Sequence, residues 1–244
     1  MKSILIILLC LQILSAKKVT IAVAANVSYA IEPLIKVFNK AYPQIKVNVV
    51  LGSSGKLTAQ ITHDAPYDIF MSANMKYPQN LYLKGLAKSK PVIYAKGALA
   101  LLSTKKYDLS KGLALLLDTN ISKIAIANPK TAPYGVATAQ MLENIKLYNR
   151  LKPKFVYGES ISQTVTYTTR AADIGIIAKS SLFSPQMLQY KKDINWIDIS
   201  TSLYTPIEQG IVLLEDSPES TLLYTFLLGS KAKEILKSFG YSLP

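Results

Sequence analysis

Residues 50–60, VLGSSGKLTAQ, set two serines between two glycines, directly after a β-branched run and directly before a helical pattern. At such a junction glycine permits close backbone approach, and the helix start leaves amides without intrahelical acceptors. Ser53 and Ser54 add hydroxyl donors, and the positive pole of the helix adds its field. The chemistry on offer is capture of an oxyanion by neutral donors. The plain alternative is a helix capped by serine. A nucleotide-binding P-loop fails on two residues, because Val50 stands where the first glycine belongs and Leu57 where Ser or Thr would hold magnesium.

Three further strand-to-helix junctions carry similar elements: residues 24–28 (AANVS), 128–135 (NPKTAPYG) and 158–162 (GESIS). Each alone reads equally well as ordinary structure, with Asn26 and Ser160 as helix caps and 132–135 as a turn. In open α/β sheets, however, the ligand crevice lies off the carboxyl ends of the strands, where all four segments fall. Four helix starts could then converge on one anion.

No constellation for catalysis competes with this. The single histidine, His63, sits beside Asp64 in a stretch that reads as a surface turn, and the single cysteine is Cys10. A Cys/His zinc site, thiol catalysis and a disulfide framework therefore lack their residues. The carboxylates are dispersed, with Glu215 and Asp216 the one adjacent pair, and no G-x-S-x-G nucleophile elbow occurs. The chain is not expected to be an enzyme, and neither a cofactor nor a directly coordinated metal is called for.

The elements that must position these junctions follow from hydrophobic periodicity. Short β-branched runs at 18–24, 46–51 and 68–71 alternate with helical patterns at 31–38 and 56–62. Strands are expected again at 99–103, 123–127, 154–157, 173–177 and 210–214, with helices near 109–117, 135–148, 161–169, 219–228 and 231–239. Strands separated by helices argue parallel pairing through crossover connections, hence an α/β fold. Gly97 and Pro206 interrupt the pattern within 93–98 and 203–208, which read as hinge stretches. A central lobe, 96–205, would then be inserted into a lobe built from 17–95 and 206–244.

Residues 1–16 read as a signal peptide: Lys2, an apolar run from 4 to 14 too short to span a bilayer, then Ser15 and Ala16 before the expected cleavage. Its removal leaves no cysteine, which suits an oxidising compartment. The formal charge of +13 invites a nucleic-acid reading, yet only Arg150 and Arg170 are arginine among 28 basic residues. Phosphate and base readers favour the arginine fork and a clustered basic stripe. A solubilising lysine surface is expected, with no nucleic-acid partner.

The order IAVAANVSYAIEPL, GSSGKLTAQI, APYDIFMSAN, IANPKTAPYG, ADIGII and KAKEILKSFGYSL resembles the periplasmic molybdate-binding proteins of ABC importers across nearly the whole chain after the leader. That resemblance implies a two-lobed type II periplasmic-binding-protein fold, each lobe a mainly parallel sheet flanked by helices. Its ligand would be molybdate or tungstate, its location the periplasm, its partner the importer's membrane permease, and its state a monomer. Carried over position by position, the donors would be Asn26 with the neighbouring Ala25 amide, Ser54, Tyr134 and Ile161. Ala25 and Ile161 have only backbone amides to give, while Asn26, Ser54 and Tyr134 have side-chain donors as well. One branch of the family has serine where Asn26 stands and a tyrosine ligand where Ala178 stands. Another resembles this chain, with asparagine at the first junction and tyrosine in the P-Y-G turn. A binding protein for sulfate or phosphate, or a secreted phosphate-ester hydrolase, are the alternatives.

Overall fold

The computed structural model describes residues 17–244, so the expected signal peptide lies outside the described residues. The strands in chain order are β1 (Lys17–Ala24), β2 (Ile45–Gly52), β3 (Ile69–Met71), β4 (Val92–Gly97), β5 (Leu99–Leu102), β6 (Ile124–Ala127), β7 (Phe155–Gly158), β8 (Ile174–Ala178), β9 (Trp196–Asp198) and β10 (Ile207–Leu213). The helices are α1 (Ile31–Ala41), α2 (Ser54–Thr62), α3 (Lys76–Leu83), α4 (Pro133–Asn144), α5 (Tyr148–Leu151), α6 (Ile161–Arg170), α7 (Pro218–Leu228) and α8 (Ser230–Ser238). Two five-stranded sheets result, ordered β2-β1-β3-β10-β4 and β7-β6-β8-β5-β9.

Each sheet is mixed. β1 pairs in parallel with β2 and β3, and β6 with β7 and β8, whereas β10 and β5 run antiparallel to both of their neighbours. The cause is the path of the chain. β1, β2, β3, β6, β7 and β8 run toward the junction of the two lobes, but β5 and β10 enter their sheets from the crossings and must run away from it. The crossings fall at Gly97–Leu99 and between Asp198 and Ile207, and the Tyr204 hydroxyl ties them together by accepting the Leu99 amide at 3.0 Å.

Burial follows the sequence pattern. β6 (IAIA) and β8 (IGIIA), covered on both faces, are apolar and buried throughout. In α1 the residues Ile31, Leu34 and Phe38 form the inward stripe, and the Phe38 ring lies 5.5 Å from that of Phe226 on α7. The expected helix at 109–117 is instead a 3-10 segment, Leu109–Leu117, broken at Gly112, where φ is 55°. The expected helix at 135–148 divides into α4 and α5 around Lys146, whose φ of 59° ends a helix. Most of the hinge stretch expected at 93–98 is strand β4.

Candidate functional site

The four junctions belong to two adjacent strand pairs, one in each sheet. Ala24 at the end of β1 is paired with Gly52 at the end of β2, and Ala127 at the end of β6 with Gly158 at the end of β7. The turns that follow therefore face one another across the gap between the lobes. Ala25, Asn26, Ser54, Tyr134 and Ile161 all line one small, tightly closed cavity there, together with Ser53 and Ala73. All five expected residues are buried, none more than 4 % exposed.

The backbone supplies part of the donor set. Ser54 opens α2, Tyr134 is the second residue of α4 and Ile161 opens α6, so their amides have no intrahelical carbonyl to reach. Ser160 spends its hydroxyl on the cap, accepting from the Gln163 amide at 3.2 Å, and leaves the Ile161 amide open. Ser54 Oγ accepts from the Ala73 amide at 2.9 Å, which fixes the oxygen and leaves the hydroxyl hydrogen free to donate.

Ser53 is the residue that the positional carry-over missed. It holds the cap position of α2 in an extended conformation, yet its hydroxyl caps no amide and is buried without a partner at the cavity wall. The sequence signal was the serine pair itself. A buried hydroxyl that forgoes its ordinary cap bond keeps its donor open.

Two expected side-chain donors point elsewhere. The Tyr134 ring is fully buried, and its hydroxyl accepts from Gln209 Nε2 at 3.3 Å, beside the first crossing. Burial pushes that phenol well above its usual pKa, so it stays neutral. Asn26 Nδ2 donates to Gln209 Oε1 at 2.8 Å and to the Tyr241 hydroxyl at 3.0 Å, which takes up both of its hydrogens. The Asn26 carbonyl accepts from Tyr241 and Ser180 hydroxyls at 2.7 and 3.1 Å. Asn26 Oδ1 is buried without a partner.

The lobes are closed on this cavity. The Gly55 amide donates to the Thr131 carbonyl at 3.0 Å, and Lys56 pairs with Glu159 at 2.7 Å. A Cβ on Gly55 would lie 2.9 Å from that same carbonyl oxygen, so a side chain there would hold the lobes apart. The ion pair, with both partners more than half exposed, contributes little. His63 is exposed at the far end of α2, and Ala178 is buried at the end of β8 with no side-chain donor. Among the described residues no group of three or more His, Cys, Asp or Glu could hold a metal ion, and no helix is long and apolar enough to cross a membrane.

Neutral residues of both lobes line this cavity, with no carboxylate and no lysine among them, so the donors it presents suit an anion. The family model for bacterial extracellular solute-binding proteins matches residues 19–242. A molybdate-binding protein of Azotobacter vinelandii is 34% identical over 234 residues, covering 93% of this chain and 91% of its own length. Its counterpart in Rhodobacter capsulatus is 32% identical over 232 residues, with 93% and 89% covered. The solved periplasmic molybdate-binding protein of Azotobacter vinelandii superposes with a TM-score of 0.84 at 31% identity, over 93% of this chain and 99% of that one. With a fold, a cavity and a match over 93% of the chain that agree, this chain belongs to the bacterial extracellular solute-binding proteins, within the molybdate-binding family of ABC importers.

Proposed function

We propose that this chain captures molybdate or tungstate between its lobes in the periplasm and presents the loaded, closed form to an ABC importer permease. Residues 1–16 act as the signal peptide that takes it there. Residues 17–95 with 206–244 form the first lobe and 96–205 the second, with the ligand cleft between them. The observation that carries the reading is the convergence of Ala25, Asn26, Ser54, Tyr134 and Ile161, from four separate junctions, on one buried cavity.

A dianion leaving water must recover hydrogen bonds to all its oxygens, and neutral donors suffice because the charge resides on the ligand. Each such bond is worth roughly 1.5–3 kcal/mol, so several together support tight binding after association costs. The first lobe gives the Ala25 and Asn26 amides and the Ser53 and Ser54 hydroxyls; the second gives the Tyr134 and Ile161 amides. An anion that bonds to both sets stabilises the closed state over the open one, and closure is what the permease reads.

Calorimetry with molybdate, tungstate, sulfate and phosphate on the chain lacking its leader tests this. One molybdate or tungstate per chain is expected, with sulfate and phosphate much weaker. Sulfate binding as tight as molybdate would overturn the ligand assignment, and turnover of a chromogenic phosphate ester would overturn the binding-protein reading.

A further inference from the structure

We propose that Gln209 is the positioning residue that decides which end of the Asn26 carboxamide faces the oxyanion, and that the two amides turn as a pair when the anion binds. The inference rests on the oxyanion reading of the cavity and concerns a residue outside it. Gln209 lies on β10 at the register shift between Gln209 and Gly210, with no exposed surface. Its Oε1 accepts from Asn26 Nδ2 at 2.8 Å and from the Tyr94 hydroxyl at 2.7 Å, while its Nε2 donates to the Tyr134 hydroxyl at 3.3 Å. One carboxamide thus touches a cavity residue of each lobe.

In this arrangement Asn26 Nδ2 is committed to Gln209 and Tyr241, and Asn26 Oδ1 is buried with no donor. A carbonyl oxygen on the wall of a cavity that receives a dianion is repelled by it, and a buried acceptor left unpaired is costly in any case. Turning the Asn26 amide alone would set Oδ1 against Gln209 Oε1, oxygen against oxygen. Turning both removes the conflict. Gln209 Nε2 then donates to Asn26 Oδ1, Gln209 Oε1 accepts from the Tyr134 hydroxyl, and the Tyr94 hydroxyl changes from donor to acceptor. The Tyr241 hydroxyl moves its hydrogen from the Asn26 carbonyl to Oδ1, leaving that carbonyl the Ser180 hydroxyl. Asn26 Nδ2 is freed toward the anion, and the unpaired Asn26 carboxamide oxygen gains a donor. A wall without a carboxylate also disfavours a protonated oxyanion, which needs a strong acceptor for its own hydrogen.

The test is a double-mutant cycle read by molybdate calorimetry, with thermal melting as the check on folding. Gln209→Met, neutral and of similar length, should weaken molybdate by about tenfold or more, yet by less than about threefold when Asn26→Ala is already present. A general packing defect would cost the same factor in both backgrounds, and that result, or no loss at all, overturns the proposal. Should Gln209→Met fail to fold, Gln209→Leu, equally neutral and unable to donate to Asn26 Oδ1, takes its place; the same dependence on Asn26 is expected of it. The unsubstituted chain in the same titration separates the two readings. If it takes up no molybdate the ligand assignment fails, whereas normal uptake with additive losses overturns the role of Gln209 alone.

Discussion

The hydroxyl of Tyr134 occupies the space in which a side chain on Gly97 would begin: a Cβ built on Gly97 would stand 2.0 Å from Tyr134 Oη and 2.7 Å from Gln209 Nε2. Gly97 ends β4 at the first crossing, and Tyr134 lies in the first turn of α4 in the other lobe. The missing side chain lets a fully buried aromatic ring of one lobe key into the hinge of the other. Gly97→Ala should therefore displace the ring, cost roughly 1–3 kcal/mol of stability through overpacking, and weaken molybdate by moving the Tyr134 amide. Thermal melting and calorimetry read the two effects; a variant that melts and binds like the parent would show that the ring has room to spare.

Tyr134→Phe separates hydroxyl from amide. With the hydroxyl at the hinge, its loss leaves Gln209 Nε2 without an acceptor and should lower stability by about 1 kcal/mol. The amide stays in the first turn of α4, so molybdate affinity should fall by less than about fivefold, or about 1 kcal/mol. A larger loss of affinity with unchanged melting would put the hydroxyl on the anion.

Ser53 and Ser54 make a pair of opposite signatures. Ser54 Oγ accepts the Ala73 amide, so Ser54→Ala strands a buried donor and should lower both the melting temperature of the empty protein and its affinity. Ser53 Oγ has no partner, so Ser53→Ala should leave the empty protein as stable or more so. It should still weaken molybdate by about tenfold, the worth of one bond to a charged ligand. Equal affinity of Ser53→Ala and parent would mean that this hydroxyl makes no bond to the ligand.

Much of this arrangement was legible because it is local. The glycine-bracketed serines, the P-Y-G turn and the G-E-S-I stretch each mark a strand end and a helix start within a few residues, and the α/β pattern then puts strand ends on one side. What the pattern could not carry is contact between distant segments. Asn26 meets Gln209 and Tyr241 at separations of 183 and 215 residues, and nothing at 24–28 indicates that the Nδ2 donor is taken by the hinge. The short strand β9 and helix α3 escaped for a different reason. Three residues of strand are too few to show alternation, and Pro78 within α3 reads as a breaker though it lies in the first turn, where proline is tolerated.

Stability and affinity should respond to pH in different ranges. Burial raises the Asp173 carboxyl, but bonds from the Lys105 ammonium, the Lys123 and Ser122 amides and the Ser122 hydroxyl outweigh it and hold the group well below the usual carboxylate range. A depressed native pKa means stability that is present above the unfolded value of about 3.9 and is lost as pH falls through the native one. Asp173→Asn should accordingly be less stable than the parent near neutrality, with the gap closing in strong acid, as melting across a pH series would show. The cavity has no such group. Tyr134 alone among its lining residues titrates, and burial pushes it well above the ordinary phenol range. Molybdate affinity should therefore stay flat between about pH 6 and 9, the span in which a histidine, amine or thiol donor would titrate. A calorimetric series showing a tenfold change within that span would mean that an ionising side chain reaches the anion, and the neutral-donor account of the site would be wrong.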